Sequence, residues 1–191
     1  MIDTRENIFL VGMMGAGKSA VGRQLAARLG MRFVDTDLVI QQRTGVTIPV
    51  IFEVEGESGF RRREESVIDE LASDSGTVVA TGGGAVLSAS TRARLKQHGF
   101  TIYLAASLHD LVVRTRNDRN RPLLDCSDPK ARLEALLTAR EPLYREVADL
   151  VIETGRPSVS RLVDQIERRL AASAGQADER DEMATDLGQP R

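Results

Sequence analysis

The fold of this chain is decided by the stretch GMMGAGKS at residues 12–19. It follows the apolar run Ile8–Val11, which is typical of a buried strand, and precedes a helical pattern of apolar residues from Val21 to Leu29. The stretch matches the phosphate-loop (P-loop) pattern G-x-x-x-x-G-K-[ST] at every fixed position, and the strand and helix around it are the context that this pattern requires. The sequence therefore predicts an α/β protein that binds the phosphates of a nucleotide.

Each part of this loop has a chemical role toward a phosphate group. The glycines let successive backbone N–H groups turn toward an anion, and the following helix adds the positive end of its dipole. Lys18 can reach the β- and γ-phosphates, while the Ser19 hydroxyl can ligate Mg²⁺. We therefore predict a site for ATP and Mg²⁺ whose loop residues are Gly15, Ala16, Gly17, Lys18, Ser19 and Ala20.

The rest of the chain alternates short apolar runs with helical patterns, which indicates a parallel sheet covered by helices on both faces. The helix that starts at Pro129 is expected to end near Arg140. We expect one three-layer α/β/α domain over residues 1–172, followed by a disordered acidic tail at residues 173–191. The strands predicted after the P-loop are Arg32–Val34, Thr77–Ala80, Phe100–Leu104 and Leu150–Ile152.

The composition excludes several classes of protein. The 191 residues suffice for one domain, and the net charge of −2 gives no reason to expect nucleic acid as a partner. No apolar run approaches the roughly 18 residues that a membrane span needs, and the N-terminus lacks a signal-type segment. A lone cysteine, Cys126, fits a reducing compartment. We therefore expect a cytoplasmic protein that acts on small molecules. We also expect a monomer, although the sequence does not determine the oligomeric state.

A P-loop indicates nucleotide binding but not the use that is made of the nucleotide. A GTPase would normally carry a D-x-x-G motif after a strand and an N-K-x-D motif for guanine. No glycine of this chain has an aspartate three positions before it, and none of its three lysines follows an asparagine. These absences favour a small-molecule or nucleotide kinase.

Two aspartates, Asp35 and Asp37, follow the second predicted strand at the edge where parallel sheets bind ligands. We expect the two side chains to lie on opposite sides of the extended chain, with one carboxylate facing the metal and the other the acceptor. We assign Asp37 as the group that accepts the proton of the acceptor hydroxyl, and Asp35 as support for Mg²⁺ through water. The alternative is that Asp37 caps a helix beginning at Leu38.

Glycines and arginines near this edge suggest how an acceptor is bound. Gly82–Gly84 follows the third strand, and its lack of side chains suggests that backbone N–H groups approach a ligand; a flexible turn is the alternative. Glu64 lies three positions after Arg61, a helical spacing that lets the carboxylate hold the guanidinium. If Arg61 and Arg140 meet over the acceptor, they can bind a carboxylate through two-pronged hydrogen bonds.

The segment of residues 114–128 is polar, rich in arginine and without periodicity. We predict that it forms a mobile lid, from which an arginine reaches the γ-phosphate on closure. The alternative is a solvated basic loop. Besides the lid residue Arg121, Arg116 and Arg119 are candidates for this contact.

The order of these motifs resembles the shikimate kinase family from Ile8 to about Leu170. The motifs are the P-loop, D-T-D at 35–37, F-R-x-x-E at 60–64, G-G-G at 82–84, R-P-L-L at 121–124 and R-x-P-L-Y-R at 140–145. The resemblance implies a P-loop kinase fold like that of nucleoside monophosphate kinases, with strand order 2-3-1-4-5. It also implies transfer of the γ-phosphoryl of ATP to the 3-hydroxyl of shikimate with Mg²⁺, in the pathway to chorismate and aromatic amino acids.

The resemblance also assigns roles in acceptor binding. Asp37 would hold and activate the acceptor hydroxyl. Arg61 and Arg140 would bind the shikimate carboxylate, with backbone contacts from Gly83, and Glu64 would orient Arg61.

For the nucleotide, the resemblance implies that Lys18 and Arg121 stabilise the transferring phosphoryl group. Ser19 would bind Mg²⁺ with help from Asp35. Arg114 would stack on adenine opposite the loop around Thr154–Pro157, which includes Arg156.

Three other functions stay open from the sequence. A gluconate kinase shares the P-loop and the general size but has no evident use for the two arginine motifs. A nucleoside monophosphate kinase would need a base-binding pocket in place of F-R-x-x-E. A non-catalytic P-loop sensor would have little need for Lys18, Asp37 and Arg121 together.

Overall fold

The computed structural model describes residues 6–116, 122–155 and 157–186, with side chains described as far as residue 172. One five-stranded sheet has the order β2-β3-β1-β4-β5, and every neighbouring pair is parallel. The predicted fold class is confirmed, as is the strand order implied by the family resemblance. The strands are β1 (Asn7–Val11), β2 (Arg32–Asp35), β3 (Thr77–Ala80), β4 (Gly99–Ala105) and β5 (Leu150–Glu153). The third strand has its predicted bounds, and the other four are longer by one or two residues.

Helices cover both faces of this sheet. One helix, α1, packs against the sheet and against α7, whereas α4 packs against β4, α3 and α6. In the described part of the chain, none of the helices is long and apolar enough to span a membrane. The helices are α1 (Lys18–Leu29), α2 (Thr36–Thr44), α3 (Ile48–Ser73), α4 (Ala89–Gln97), α5 (Leu108–Thr115), α6 (Pro129–Val147) and α7 (Val159–Asp186).

The central position of β1 determines where a site can form. All residues of β1 and β3 are buried, so these strands form the middle of the core. Leu10 of β1 and Asp35 of β2 are both register partners of Ala80 in β3. The segments that follow these three strands therefore begin side by side, and they carry the P-loop, the aspartate pair and Gly82–Gly84.

Two glycines of the P-loop have steric reasons to lack a side chain. Gly12 has a φ of 141°, and a Cβ there would lie 2.6 Å from the carbonyl oxygen of Leu104 in β4. Gly15 has a φ of 80°, and a Cβ would lie 2.9 Å from Cγ2 of Thr115 in α5. The same glycines that shape the loop for phosphate thus let it pack against β4 and α5.

Helix α6 does not end near Arg140, so that prediction was wrong. It continues through Pro142 to Val147. Proline removes a backbone hydrogen bond and crowds the carbonyl four residues earlier, which is why the sequence favoured an end before it. Tyr144 and Val147 are 0% and 2% exposed, and their burial in the core offsets the cost of the proline.

The backbone of helix α7 is helical to Asp186. The disordered acidic tail expected at residues 173–191 stays a prediction, because side chains are described only as far as residue 172 and residues 187–191 lie outside the described ranges.

Candidate active site

Two open cavities adjoin at the carboxyl edge of the sheet. The first is lined by the P-loop and both aspartates, and we call it the phosphate cavity. The second is lined by Arg61, Arg140 and Gly82–Gly84, and we call it the acceptor cavity. Met14, Asp37 and Gly83 line both. The Asp37 side chain can therefore contact ligands in either cavity.

In the phosphate cavity, the P-loop holds its lysine close. Lys18 Nζ donates to the carbonyl oxygens of Gly12 at 2.7 Å and Met13 at 2.9 Å. The ammonium thus lies beside the loop, from which it can reach an anion bound there. Of the predicted loop residues, Gly15, Gly17, Lys18, Ser19 and Ala20 line the cavity. Ala16 is buried, and its N–H donates to the Met13 carbonyl at 3.1 Å instead.

Asp35 joins the strand, the helix and the P-loop. Its Oδ2 accepts a hydrogen bond from Ser19 Oγ at 2.6 Å, and its Oδ1 accepts from the backbone N–H groups of Asp37 at 3.1 Å and Leu38 at 3.4 Å. The helix cap is therefore Asp35, and α2 begins at Thr36 rather than Leu38. The capping alternative for Asp37 is wrong.

The two aspartates do not face opposite sides, so that expectation was wrong. Both line the phosphate cavity. The expectation misapplied strand alternation, which puts residues two apart on the same face, and the strand in any case ends at Asp35 while Asp37 lies in the first turn of α2. The two carboxylates therefore share one cavity, and Asp37 reaches the second as well.

Ser19 and Asp35 fit the needs of a magnesium ion. A hydroxyl and a carboxylate oxygen are the hard ligands that Mg²⁺ prefers, and the ion usually takes one or two carboxylates together with phosphates and waters. Within the described ranges no group of three or more His, Cys, Asp or Glu side chains could hold a metal. The protein's share of a magnesium shell here is thus small, and phosphate and water would supply the rest.

The glycines Gly82–Gly84 leave room for side chains. A Cβ on Gly82 would overlap Glu64 Oε1 and lie 3.0 Å from Asp37 Oδ1, and a Cβ on Gly84 would overlap the guanidinium of Arg61. The N–H of Gly82 already donates to Thr36 Oγ1 at 3.0 Å. The expectation that these glycines present N–H groups to a ligand is therefore wrong for Gly82.

Arg61 is held by two glutamates. It donates to Glu64 at 2.7 Å and to Glu57 at 2.9 Å, and its guanidinium lies over the Phe60 ring at 5.2 Å. Burial opposes its charge, but Glu64 and Glu57 together raise its pKa above the usual value. The predicted Arg61–Glu64 pair is present, whereas Glu57, four positions earlier, was missed although its spacing could have revealed it.

The Glu64 carboxylate is deeply buried, with 2% of the residue exposed. Burial raises its pKa, and the neighbouring positive charge of Arg61 opposes that rise. Arg61 donates to Oε2, while the buried Oε1 accepts no hydrogen bond from any described residue. One side of Glu64 thus fixes Arg61, and the other faces the space that Gly82 leaves open.

Arg140 differs from Arg61 in having no carboxylate partner within the described ranges. The residue is 2% exposed, and its Nη1 donates to the carbonyl of Gly83 at 3.2 Å. No acidic side chain among the described residues forms an ion pair with it. Burial lowers its pKa, and the nearby charge of Arg61 adds to that effect. A buried guanidinium in this state is complementary to an anionic ligand in the acceptor cavity.

Arg114 connects the P-loop with the loop after β5. It donates to the carbonyls of Gly15 at 3.3 Å, Thr154 at 2.6 Å and Gly155 at 3.2 Å. This location agrees with the predicted position opposite Thr154–Pro157. Arg121 and Arg156, as well as Arg119, lie outside the described residues, so their roles stay predictions.

Apolar residues of the acceptor cavity were missed by the sequence analysis. Ile48, Phe52 and Phe60 line it from α3, and Pro122 and Leu123 line it from the predicted lid. Phe52 and Phe60 contact each other with ring centroids 5.0 Å apart. Their periodicity was hidden by a kink at Gly56, where φ is 68° and the two halves of α3 change direction.

These features agree with a match to a family model for shikimate kinase over residues 14–171. The chain belongs to the shikimate kinase family. Its members are ATP-dependent kinases that act on shikimate. The shikimate kinase of Burkholderia lata is 58% identical over 164 residues, which cover 86% of this chain and 89% of that relative. The shikimate kinase of Cupriavidus pinatubonensis is 59% identical over 162 residues, which cover 85% of this chain and 84% of that relative.

A solved structure supports the same family. The shikimate kinase of Acinetobacter baumannii in complex with shikimate superposes with a TM-score of 0.87 at 48% identity. The match covers 90% of this chain and 96% of that one. Fold and sequence therefore identify the same family of kinases.

Replacement of Gly84 by alanine tests the acceptor cavity. The new Cβ would displace the Arg61 guanidinium, so we expect Gly84→Ala to raise the KM for the acceptor about tenfold or more. The KM for ATP should change less than about twofold, because the phosphate cavity does not include Gly84. Steady-state kinetics with each substrate varied in turn measure both. An unchanged acceptor KM would show that Arg61 is not fixed by this contact.

Proposed function

We propose that this enzyme transfers the γ-phosphoryl group of ATP to the 3-hydroxyl of shikimate and releases shikimate 3-phosphate and ADP. The observation that carries the proposal is the buried guanidinium of Arg140, which lines a cavity adjoining the P-loop and has no carboxylate partner among the described residues. A carboxylate on the acceptor would supply the missing charge. The acceptor would then lie next to Asp37, which also lines the phosphate cavity.

The proposed acceptor has groups that match the cavity walls. Arg61 and Arg140 would bind its carboxylate, because two guanidinium groups can each donate paired hydrogen bonds. The apolar side chains of Phe52 and Phe60 would pack against its ring carbons. Gly83 would contribute backbone contacts from the wall that both cavities share.

Asp37 is proposed to activate the hydroxyl. Its carboxylate would accept the hydroxyl proton while the acceptor oxygen bonds to the γ-phosphorus, and the bond from that phosphorus to the β–γ bridging oxygen breaks. Most of the rate enhancement in such transfers comes from positioning and from stabilised charge. A side chain that reaches both cavities is suited to align the two reactants.

Charge on the transferring group is proposed to be stabilised by Lys18 and Arg121. The P-loop N–H groups would bind the phosphates at the start of α1. Ser19 and Asp35 would hold Mg²⁺, which would supply positive charge at the β- and γ-phosphates. Arg114, fixed between the P-loop and Thr154, would stack on the adenine, with Arg156 nearby.

Three broader features of the chain also remain proposals. We propose a single catalytic domain over residues 1–172 with a lid over about 114–128, in which Pro122 and Leu123 already line the acceptor cavity. We propose a monomer and a cytoplasmic location. The exposed free thiol of Cys126 supports a reducing compartment.

A coupled assay of ADP release with MgATP tests the acceptor directly. Shikimate, gluconate, AMP and CMP would be compared at equal concentrations. We expect turnover with shikimate alone, because only it combines a ring with a single carboxylate for the two arginines. Turnover with another compound would assign the cavity to that acceptor. Bound ATP without turnover on any of the four would favour a sensor.

If Asp37 is the base, replacing it with asparagine, which has the same shape but no charge, should lower kcat. Asp37→Asn should lower kcat at least about 100-fold, because an amide cannot accept the hydroxyl proton. ATP affinity, measured by calorimetry, should stay within about threefold of the wild type, since the P-loop contacts remain. Near wild-type kcat in this variant would refute the assignment of Asp37 as the base.

If the two arginines bind the substrate carboxylate, removing one of them should weaken binding only of substrates that carry this carboxylate. Arg140→Ala should raise the KM for shikimate at least about 30-fold, because it removes a buried partner of that charge. A shikimate analogue with a neutral carboxamide should have a high KM with the wild type, and Arg140→Ala should raise that KM little further. If Arg140→Ala raised the KM for shikimate and for the carboxamide by the same factor, Arg140 would not contact the carboxylate.

A further inference from the structure

Tyr144 and Arg140 converge on one backbone oxygen. They lie four positions apart on α6, and so on the same face of that helix. Arg140 Nη1 donates to the Gly83 carbonyl at 3.2 Å, and the Tyr144 hydroxyl donates to the same oxygen. A carbonyl has two lone pairs and can accept both bonds. The oxygen is therefore fixed by two donors from one helix.

The tyrosine ring itself has little freedom to move. Tyr144 is 0% exposed, and its ring stacks on Tyr103 of β4 with centroids 5.0 Å apart. Its hydroxyl oxygen lies 3.5 Å from Met13 Sδ in the P-loop. Burial raises the pKa of the Tyr144 hydroxyl above its usual value, so the proton needed for the bond to Gly83 is retained. Since the hydroxyl has only one proton, the carbonyl is its acceptor, being stronger than a thioether.

Gly83 connects this pair to both cavities. A Cβ on Gly83 would lie 3.2 Å from the backbone nitrogen of Met14, so the segment after β3 packs closely on the P-loop. Gly83 also lines the acceptor and phosphate cavities together. A shift of its carbonyl would alter the hydrogen bond that orients the Arg140 guanidinium.

We propose that Tyr144 is a positioning residue for the acceptor, and that it acts by fixing the Gly83 carbonyl that orients Arg140. This inference rests on the proposed function, because the guanidinium must bind a carboxylate of the acceptor. With the Tyr144 bond in place, one Arg140 N–H holds the carbonyl while the guanidinium lines the acceptor cavity. Without it, a buried carbonyl loses a donor, and Arg140 is drawn toward that oxygen and away from the ligand.

A pair of hydroxyl deletions tests this role. Tyr144→Phe removes only the donor and keeps the ring that stacks on Tyr103. Tyr103→Phe is the matched control, because no hydrogen bond of the Tyr103 hydroxyl occurs among the described residues. We expect Tyr144→Phe to raise the KM for shikimate about 3- to 10-fold with the KM for ATP unchanged, and Tyr103→Phe to match the wild type.

A double variant with Arg140→Ala distinguishes a positioning role of Tyr144 from a role in packing alone. In an Arg140→Ala background, Tyr144→Phe should raise the shikimate KM no further, since the guanidinium through which it acts is gone. Thermal unfolding of each variant reports packing independently of substrate binding. A lowered melting temperature with an unchanged shikimate KM would overturn the proposal, and so would an equal rise in KM in both backgrounds.

Wild-type turnover with shikimate is measured in the same experiment. Its absence would refute the proposed function, and with it the role of Tyr144 toward this acceptor. If the wild type turns over shikimate and Tyr144→Phe behaves identically, only the positioning role is refuted.

Discussion

The site depends on one constraint, which is that β1, β2 and β3 are parallel and end at the same edge of the sheet. Because Leu10 and Asp35 are both in register with Ala80, the three following segments start next to one another. The P-loop supplies donors for phosphate and Asp35 supplies a carboxylate beside Ser19. No one of these segments forms a site alone, and the parallel alignment makes them one.

Buried charge then determines what the site can bind. Arg61 is balanced by Glu57 and Glu64, while Arg140 is buried with no carboxylate partner in the part of the chain that the structure describes. A protein tolerates such a charge where hydrogen bonds hold it and a ligand completes it. The Gly83 carbonyl provides the first of these conditions. An anionic acceptor provides the second, which explains two guanidinium groups in a cavity beside a P-loop that itself binds anions.

Much of the fold and of the chemistry follows from local sequence. The P-loop pattern predicted the central strand, the glycine turn and the first helix, because each depends on residues close together in the chain. The Arg61–Glu64 pair was predictable for the same reason, since the two lie one helical turn apart. The helix end near Arg140 was predicted wrongly, because the burial of Tyr144 that carries the helix past Pro142 is a tertiary contact.

The sequence by itself determined the type of fold, the phosphate-binding loop and the residue types that carry charge. Only the tertiary structure decided which of them meet. It placed Asp37 on the wall of both cavities, and it showed that Gly82 and Gly84 make room for Glu64 and Arg61. It also brought Tyr144 and Arg140 to one carbonyl, 61 and 57 positions away in the chain. Such contacts depend on how α6 packs against the sheet, and no local pattern encodes that packing.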